Sequence, residues 1–336
     1  MRHRFATEIA VLAALIAWVP FAVALVTGQA PSSAANTKGT TKTETTPRTA
    51  WGAPDLQGVW SYATLTPLER PAAMAGREFF TREEAAAREA AAEVEAPPPP
   101  GDPGTYNAVW WDRGKITSNL RTSLIVDPPD GRLPLTADAR QRIAAKAEYA
   151  RAHPADSWLD RSAWDRCITY HGVPPISTGY NNTYQIFQAP GYVAILVENI
   201  HDVRVIPLDG RPRLSDSIRQ WNGDSRGHWE GTTLIVETTN YSDKTQLRFP
   251  SSQNTRAVER FTRVADNVID YQFTIDDPTV YTRPWTAVRP MTRLPNYRIY
   301  EYACHEGNYA MSGILGGARA EEKAAEETAN KNGAEK

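Results

Sequence analysis

RAVERFTRVADNVIDYQFTID, residues 256–276, is the stretch whose reading decides the fold. RAVERFTRV and VIDYQFTID are rich in β-branched and aromatic residues, and VADN between them is turn chemistry. The stretch therefore reads as two strands and a turn. The same grammar runs outward from about Tyr184 to Tyr302. YQIFQ, YVAILVEN, VRVIPL, SIRQWNG, TTLIVETTN and RIYEYAC bring the set to about eight strands, separated by APG, LDG, WEG, VADN and DDP. No helical crossover interrupts them, so they pair antiparallel as a meander. About eight strands in this length predict a mainly β fold, an antiparallel meander closed into a barrel, with a β-sandwich as the alternative.

GAPDLQGVWSY, upstream, offers a first strand through Leu56, Val59 and Trp60. Gly-x-Trp at the start of a β domain resembles the opening of lipocalin-like barrels, which makes the expected barrel lipocalin-like. Thr81 and Glu84 form a capping box before an Ala/Glu/Arg run, and Thr136 caps ADARQRIAAKAEYARAH. These helices are mostly polar and belong on the surface. APPPPGDPG between them is extended loop. The expected organisation is a single β-rich domain over 51–315 with a helical insertion at about 80–153. A charged tail follows at 316–336, as a fraying helix or disorder, which makes two or three peripheral helices in all.

The amino terminus reads MRHRFATE, then an apolar run from Ile9 to Val26. That length falls between a secretory core and a membrane span. Residues 1–30 are read as a signal peptide, or alternatively as an uncleaved anchor facing the periplasm. Residues 31–50 are Ser/Thr/Pro-rich linker. The protein is expected to be exported, to the periplasm or beyond the cell, with membrane contact only through that first segment. Cys167 and Cys304 are the only two cysteines, and an oxidising compartment favours joining them. A net charge of −2 argues against a nucleic-acid partner. Ten Trp and fourteen Tyr suit β structure and flat apolar or sugar ligands. GxSxG, phosphate-loop and GxGxxG motifs are absent, and no His pair has common zinc spacing, so neither cofactor nor metal ligands are assigned.

WNGDSRGHWEG, residues 221–231, carries the densest polar cluster. Glu230-Gly231 reads as a hairpin turn, with Trp229 answered by Leu234 across the pair. Alternation puts Arg226 and His228 on one face and Trp229 on the other. A solvent-facing Trp229 would turn Arg226 and His228, with Asp224, into an interior site; a buried Trp229 makes them a solvated face. ENIHDVR, read as the end of a buried strand, places Glu198, Asp202 and Arg204 on one face, with Asn199 and His201 on the other. Glu259 and Arg260 face opposite ways, and either Glu259 or Phe261 is inside. If Cys304 is bridged to Cys167, His305 approaches Asp165, Arg166, Tyr170 and His171. GYNNTYQ contributes Tyr180, Asn182 and Tyr184, and Trp221, Tyr271, Trp285 and Tyr302 are aromatic candidates for lining a ligand.

ENIHDVRVIPLDGRP, QWNGDSRGHWEGTTLIVETTN, VERFTRV, TIDDPTVYTRPWT and YEYACHEGNY together resemble a large group of exported bacterial proteins of unassigned function. The shared patterns are IPLDGRP, W-E-G-x-T-L-x-V and D-P-x-x-x-T-x-P-W. The resemblance covers roughly Trp51 to Arg319. Thr232 stands where those proteins usually carry Asp. The resemblance implies export and a β-rich fold and supplies no substrate.

Three functions fit. The first is a barrel that binds a small apolar or aromatic molecule in its interior. The alternative is a cofactor-independent acid/base isomerase, cyclase, lyase or hydrolase. In it His228, His201 or His305 carries the proton, Glu198, Glu259 or Asp224 partners it, and Arg204 or Arg226 stabilises developing charge. The third is an envelope-associated structural protein, which predicts no interior polar cluster.

Overall fold

The computed structural model describes residues 46–94, 111–170 and 172–334. The leader and all but the last residues of the linker lie outside them, as does the proline-rich loop. The strands are β1 (Gly58–Ser61), β2 (Ile125–Asp127), β3 (Thr183–Ala189), β4 (Tyr192–Val197), β5 (Val203–Pro207) and β6 (Asp224–Glu230). They continue as β7 (Thr233–Thr239), β8 (Arg256–Ala265), β9 (Val268–Asp276), β10 (Trp285–Val288) and β11 (Met291–Arg293). Nine of them follow one antiparallel path, β5-β4-β3-β1-β11-β9-β8-β7-β6, and curl into a nearly closed barrel. β10 pairs with β9 and carries β2 beside it.

The opening pair is the longest ladder, with Phe261 opposite Tyr271 and Glu259 opposite Phe273. Period-2 alternation is strict on both strands. Ile269, Tyr271, Phe273 and Ile275 are fully buried, while Asp270, Gln272 and Thr274 face outward. Glu259 and Phe261 lie two residues apart on β8, so they share the inner face and both are buried. The expected choice between acid and aromatic does not arise. The bulge between Arg263 and Ala265 turns Val264 out to solvent.

The interior is filled. Trp60, Tyr62, Tyr184, Phe261, Tyr271, Phe273 and Trp285 are all buried in one core. The helices α1 (Arg82–Glu93) and α2 (Ala137–Ala152) each bury a single alanine, Ala85 and Ala139, and sit outside the barrel. Their caps are those expected: a Thr81/Glu84 capping box, and Thr136 accepting from Ala139 N. α3 (Ala310–Ala334) starts before the expected tail boundary at Gly316. Among the described residues no helix is long and apolar enough to cross a membrane.

Several expected strands are corrected. SIRQWNG makes only an isolated Gln220–Tyr241 bridge, and RIYEYAC makes no strand. Trp285–Val288 and Met291–Arg293, not anticipated, do. The hairpin at WEG exists and pairs Trp229 with Leu234, but its turn is Gly231-Thr232 because Glu230 already pairs with Thr233. Gly231 takes φ +62°, the left-handed conformation that such a two-residue turn requires. Residues 46–50, assigned to the linker, are joined to the body by Asp55 N donating to Pro47 O at 2.7 Å.

Candidate functional site

The barrel has one seam. β5 and β6 end the sheet path, and no backbone ladder joins them. Side chains close the gap instead. Gly227 on β6 lets the strands approach, since a Cβ there would meet Leu208 Cδ2 at 2.7 Å and Ile206 Cγ2 at 2.9 Å. Beside it Arg204 reaches from β5 into the interior and donates from Nε to Ser225 Oγ at 2.8 Å and from Nη2 to Thr238 Oγ1 at 2.7 Å. Nη2 also pairs with the Glu259 carboxylate, which is fully buried. Burial works against the Arg204 charge, but the Glu259 carboxylate outweighs it and raises its pKa. Arg204 Nη1 is buried and finds no acceptor among the described residues. A cleft of about 580 Å³ is lined by Arg204 and Ser225 and edged by Trp221, Asn222, Asp202 and Ile168. That size falls within the roughly 300–1,000 Å³ of small-molecule sites. A larger groove of about 730 Å³ lies between α2 and Thr245–Ser251, but its buried lining, Ala139, Phe249 and Val280, is apolar core.

From Glu259 a file of polar groups runs through the core. The Tyr271 hydroxyl donates to Glu259 Oε1 at 2.8 Å. The Arg289 guanidinium lies over the Tyr271 ring at 5.4 Å and the Tyr62 ring at 4.7 Å. Tyr62 stands edge-on to Tyr184 at 4.8 Å. Arg289 is fully buried, and none of its three guanidinium nitrogens has a hydrogen-bond acceptor among the described residues. Burial lowers its pKa, with the neighbouring tyrosines and Glu259 pulling the other way. Two cation–π contacts supply roughly 0.5–2 kcal/mol each. An unpaired buried charge costs several kcal/mol. The rings offset part of the cost of placing Arg289 there.

A second polar corner links β4 to β5. Glu198–His201 is not the strand end expected; Asn199–His201 form a 3-10 turn, so the expected alternation of faces fails there. Ile200 adopts φ 61°, ψ 20°, which is strained for a β-branched residue. Glu198 is buried, accepts from the Tyr297 hydroxyl on Oε1 and leaves Oε2 without a hydrogen bond of normal length among the described residues. Burial pushes its carboxyl up, and Tyr297, Thr183 and Asn181 oppose this without reversing it. Both polar atoms of the buried Asn199 side chain likewise lack partners among the described residues. Burial also raises the nearby Asp112 carboxyl.

The other expected site residues are dispersed. Trp229 is the partly buried residue, so His228 is exposed on the outer face, paired with Glu230 at 3.2 Å. Arg226 pairs with Asp224, whose Oδ2 accepts from Leu214 N at 3.0 Å; these atoms brace a loop. The His201 side chain and His171 lie outside what is described. Cys167 and Cys304 form a disulfide, but His305 is exposed beyond it, while Asp165 pairs with Arg161. Asn182 is buried with its amide bonded to Thr178 and Asp112 backbone, a loop anchor. Tyr180 packs near Trp111 and Tyr170, and Trp285 against Phe249, Phe273 and Tyr281. Tyr302 lines a cleft beside the disulfide. Arg204, Glu259, Tyr271 and Tyr184 are thus brought together inside, with Trp221 at the cleft rim. Sequence reasoning missed Arg289.

No family model matches the chain, and no curated protein matches it. Among solved structures, a secretary abundant heat soluble (SAHS) protein from Ramazzottius varieornatus aligns over 33% of this chain and 70% of its own, at 11% identity and a TM-score of 0.22. That likeness is too slight to carry an argument.

Proposed function

We propose that the protein is an exported barrel that binds a small molecule with an aromatic or apolar body through the cleft at the β5–β6 seam. The observation that carries this is buried Arg204, paired with Glu259 and among the residues that line an open cleft, with Nη1 left without an acceptor among the described residues. Buried donors are normally satisfied, so an orphaned one on a residue that lines a cleft supports a place for a ligand oxygen. Trp221 offers a flat apolar wall beside it. The apolar leader and the disulfide support export. The interior charges weigh against a purely structural role.

The test is a fluorescence titration with N-phenyl-1-naphthylamine, a neutral aromatic probe. Saturable one-to-one binding is expected, weakened several-fold by Trp221→Ala. Absence of saturable binding would end the proposal.

One observation favours acid/base catalysis as a second reading. Burial raises the Glu198 carboxyl beside a strained Ile200 and an Asn199 amide without partners among the described residues, the setting of a proton donor.

A further inference from the structure

Ala139, Arg142, Ile143 and Lys146 fall on one face of α2 at helical spacing, and all four line the groove of about 730 Å³ between this helix and Thr245–Ser251. Only Ala139 of that face is buried, so most of it is open to solvent. The groove has an apolar lining, buried at Phe249 and Val280 and reaching solvent at Leu247 and Ile143. Its charges are one-sided. Arg142, Lys146, Arg161 and Arg248 line it against Asp160 alone, in a chain whose net charge is −2. Asp160 is engaged by Ser157, whose backbone N donates to Oδ2 at 2.8 Å. Arg161 is paired with Asp165 at 3.1 Å, and Arg142 donates to Thr279 O at 2.6 Å. Lys146 and Arg248 are exposed, and among the described residues no carboxylate pairs with either. The Arg248 guanidinium lies over the Tyr170 ring at 5.1 Å. Cations gathered around an apolar concavity raise the local concentration of anions.

We propose that this groove is a second binding site, independent of the seam cleft, and that it takes a small organic anion with an apolar body. Its volume lies in the range of roughly 300–1,000 Å³ for small-molecule sites. Phe249, Leu247 and Ile143 receive the apolar body, and Lys146 and Arg248 receive the negative head. The concave lining favours a small molecule over an anionic lipid surface, which calls for cations spread on an outward face.

The probe is 8-anilinonaphthalene-1-sulfonate, which carries the aromatic body of N-phenyl-1-naphthylamine plus a sulfonate, so that the two together isolate the charge. A fluorescence titration of the full chain is expected to show saturable sulfonate binding that weakens as salt rises. Lys146→Glu with Arg248→Glu is expected to weaken it roughly tenfold by replacing attraction with repulsion. The same variant should leave the melting temperature and N-phenyl-1-naphthylamine binding unchanged, since both side chains are exposed. Lys146→Gln with Arg248→Gln, which only removes the charges, should show a smaller loss in the same direction. Trp221→Ala should leave sulfonate binding intact, so that failure at the seam and failure at the groove are told apart. Absence of saturable sulfonate binding overturns the proposal. So does binding that survives charge reversal, or binding that Trp221→Ala removes. Charge-dependent binding to phosphatidylglycerol vesicles without binding of the free sulfonate overturns it too, in favour of a lipid surface.

Discussion

At the scale of single residues the barrel keeps charge where a core normally excludes it. Arg204 and Glu259 pair with one another, with help from Ser225, Thr238 and Tyr271, and Arg204 Nη1 is left without an acceptor among the described residues. Removing one partner strands the other, and such losses run to about 3–5 kcal/mol. Arg204→Met and Glu259→Leu should each lower stability by that order in urea unfolding. The double variant should lose clearly less than their sum, and strict additivity would show the pair to be uncoupled. Glu198 makes a pH prediction. Its folded-state pKa lies above the unfolded value because burial favours the neutral carboxyl. The stability this neutral form contributes is complete below the unfolded pKa of about 4.3 and is lost as pH rises through the folded one. Glu198→Gln stays neutral throughout. Its melting temperature should match the parent near pH 4 and exceed it increasingly toward neutrality; a pH-independent difference would contradict the raised pKa. Arg204, Glu259 and Tyr271 were legible as candidates because they sit in clear strands. Arg289 was not, since Pro290 beside it reads as a strand break and hides the alternation of Trp285, Ala287 and Met291.

Among the elements, long strands were legible and short ones were not. β8 and β9 announce themselves by alternation over nine or ten residues. β10 and β11 have four and three residues, too few for a period, and owe their existence to pairing with β9. SIRQWNG and RIYEYAC have strand composition but no free neighbour in the sheet, so local preference is overridden by packing. His228 went to solvent for the same reason: the register of β6 against β7 is set by burying Trp229 and Leu234, and parity then decides its face. The seam itself was invisible, since nothing in a list of strands says which two will fail to pair. Gly227 is the residue that lets β5 and β6 approach. Gly227→Val puts methyl groups into Leu208 and Ile206 and should cost roughly 1–3 kcal/mol by chemical denaturation. A neutral result would mean that the seam opens freely.

For the whole molecule, the disulfide connects structure to site. Cys167 and Cys304 are separated by 137 residues in sequence. In the loop-entropy model a closure of that length contributes about 4–5 kcal/mol. The bridge also ties the Trp164–Tyr170 loop, through Cys167, to the segment after β11 that carries Cys304. From that loop Ile168 lines the seam cleft, and the Arg166 guanidinium lies over the Trp221 ring at 5.8 Å. Loosening the bridge therefore frees one wall of the cleft as well as the chain. Cys167→Ser with Cys304→Ser should lower the melting temperature and, at a temperature where the variant is still folded, weaken N-phenyl-1-naphthylamine binding several-fold. Unchanged affinity in the folded variant would show that the barrel edges shape the cleft alone and that the bridge acts only on stability. Weakened affinity would make an oxidised cysteine pair a condition of binding, because the wall of the site would form only where the two thiols are joined.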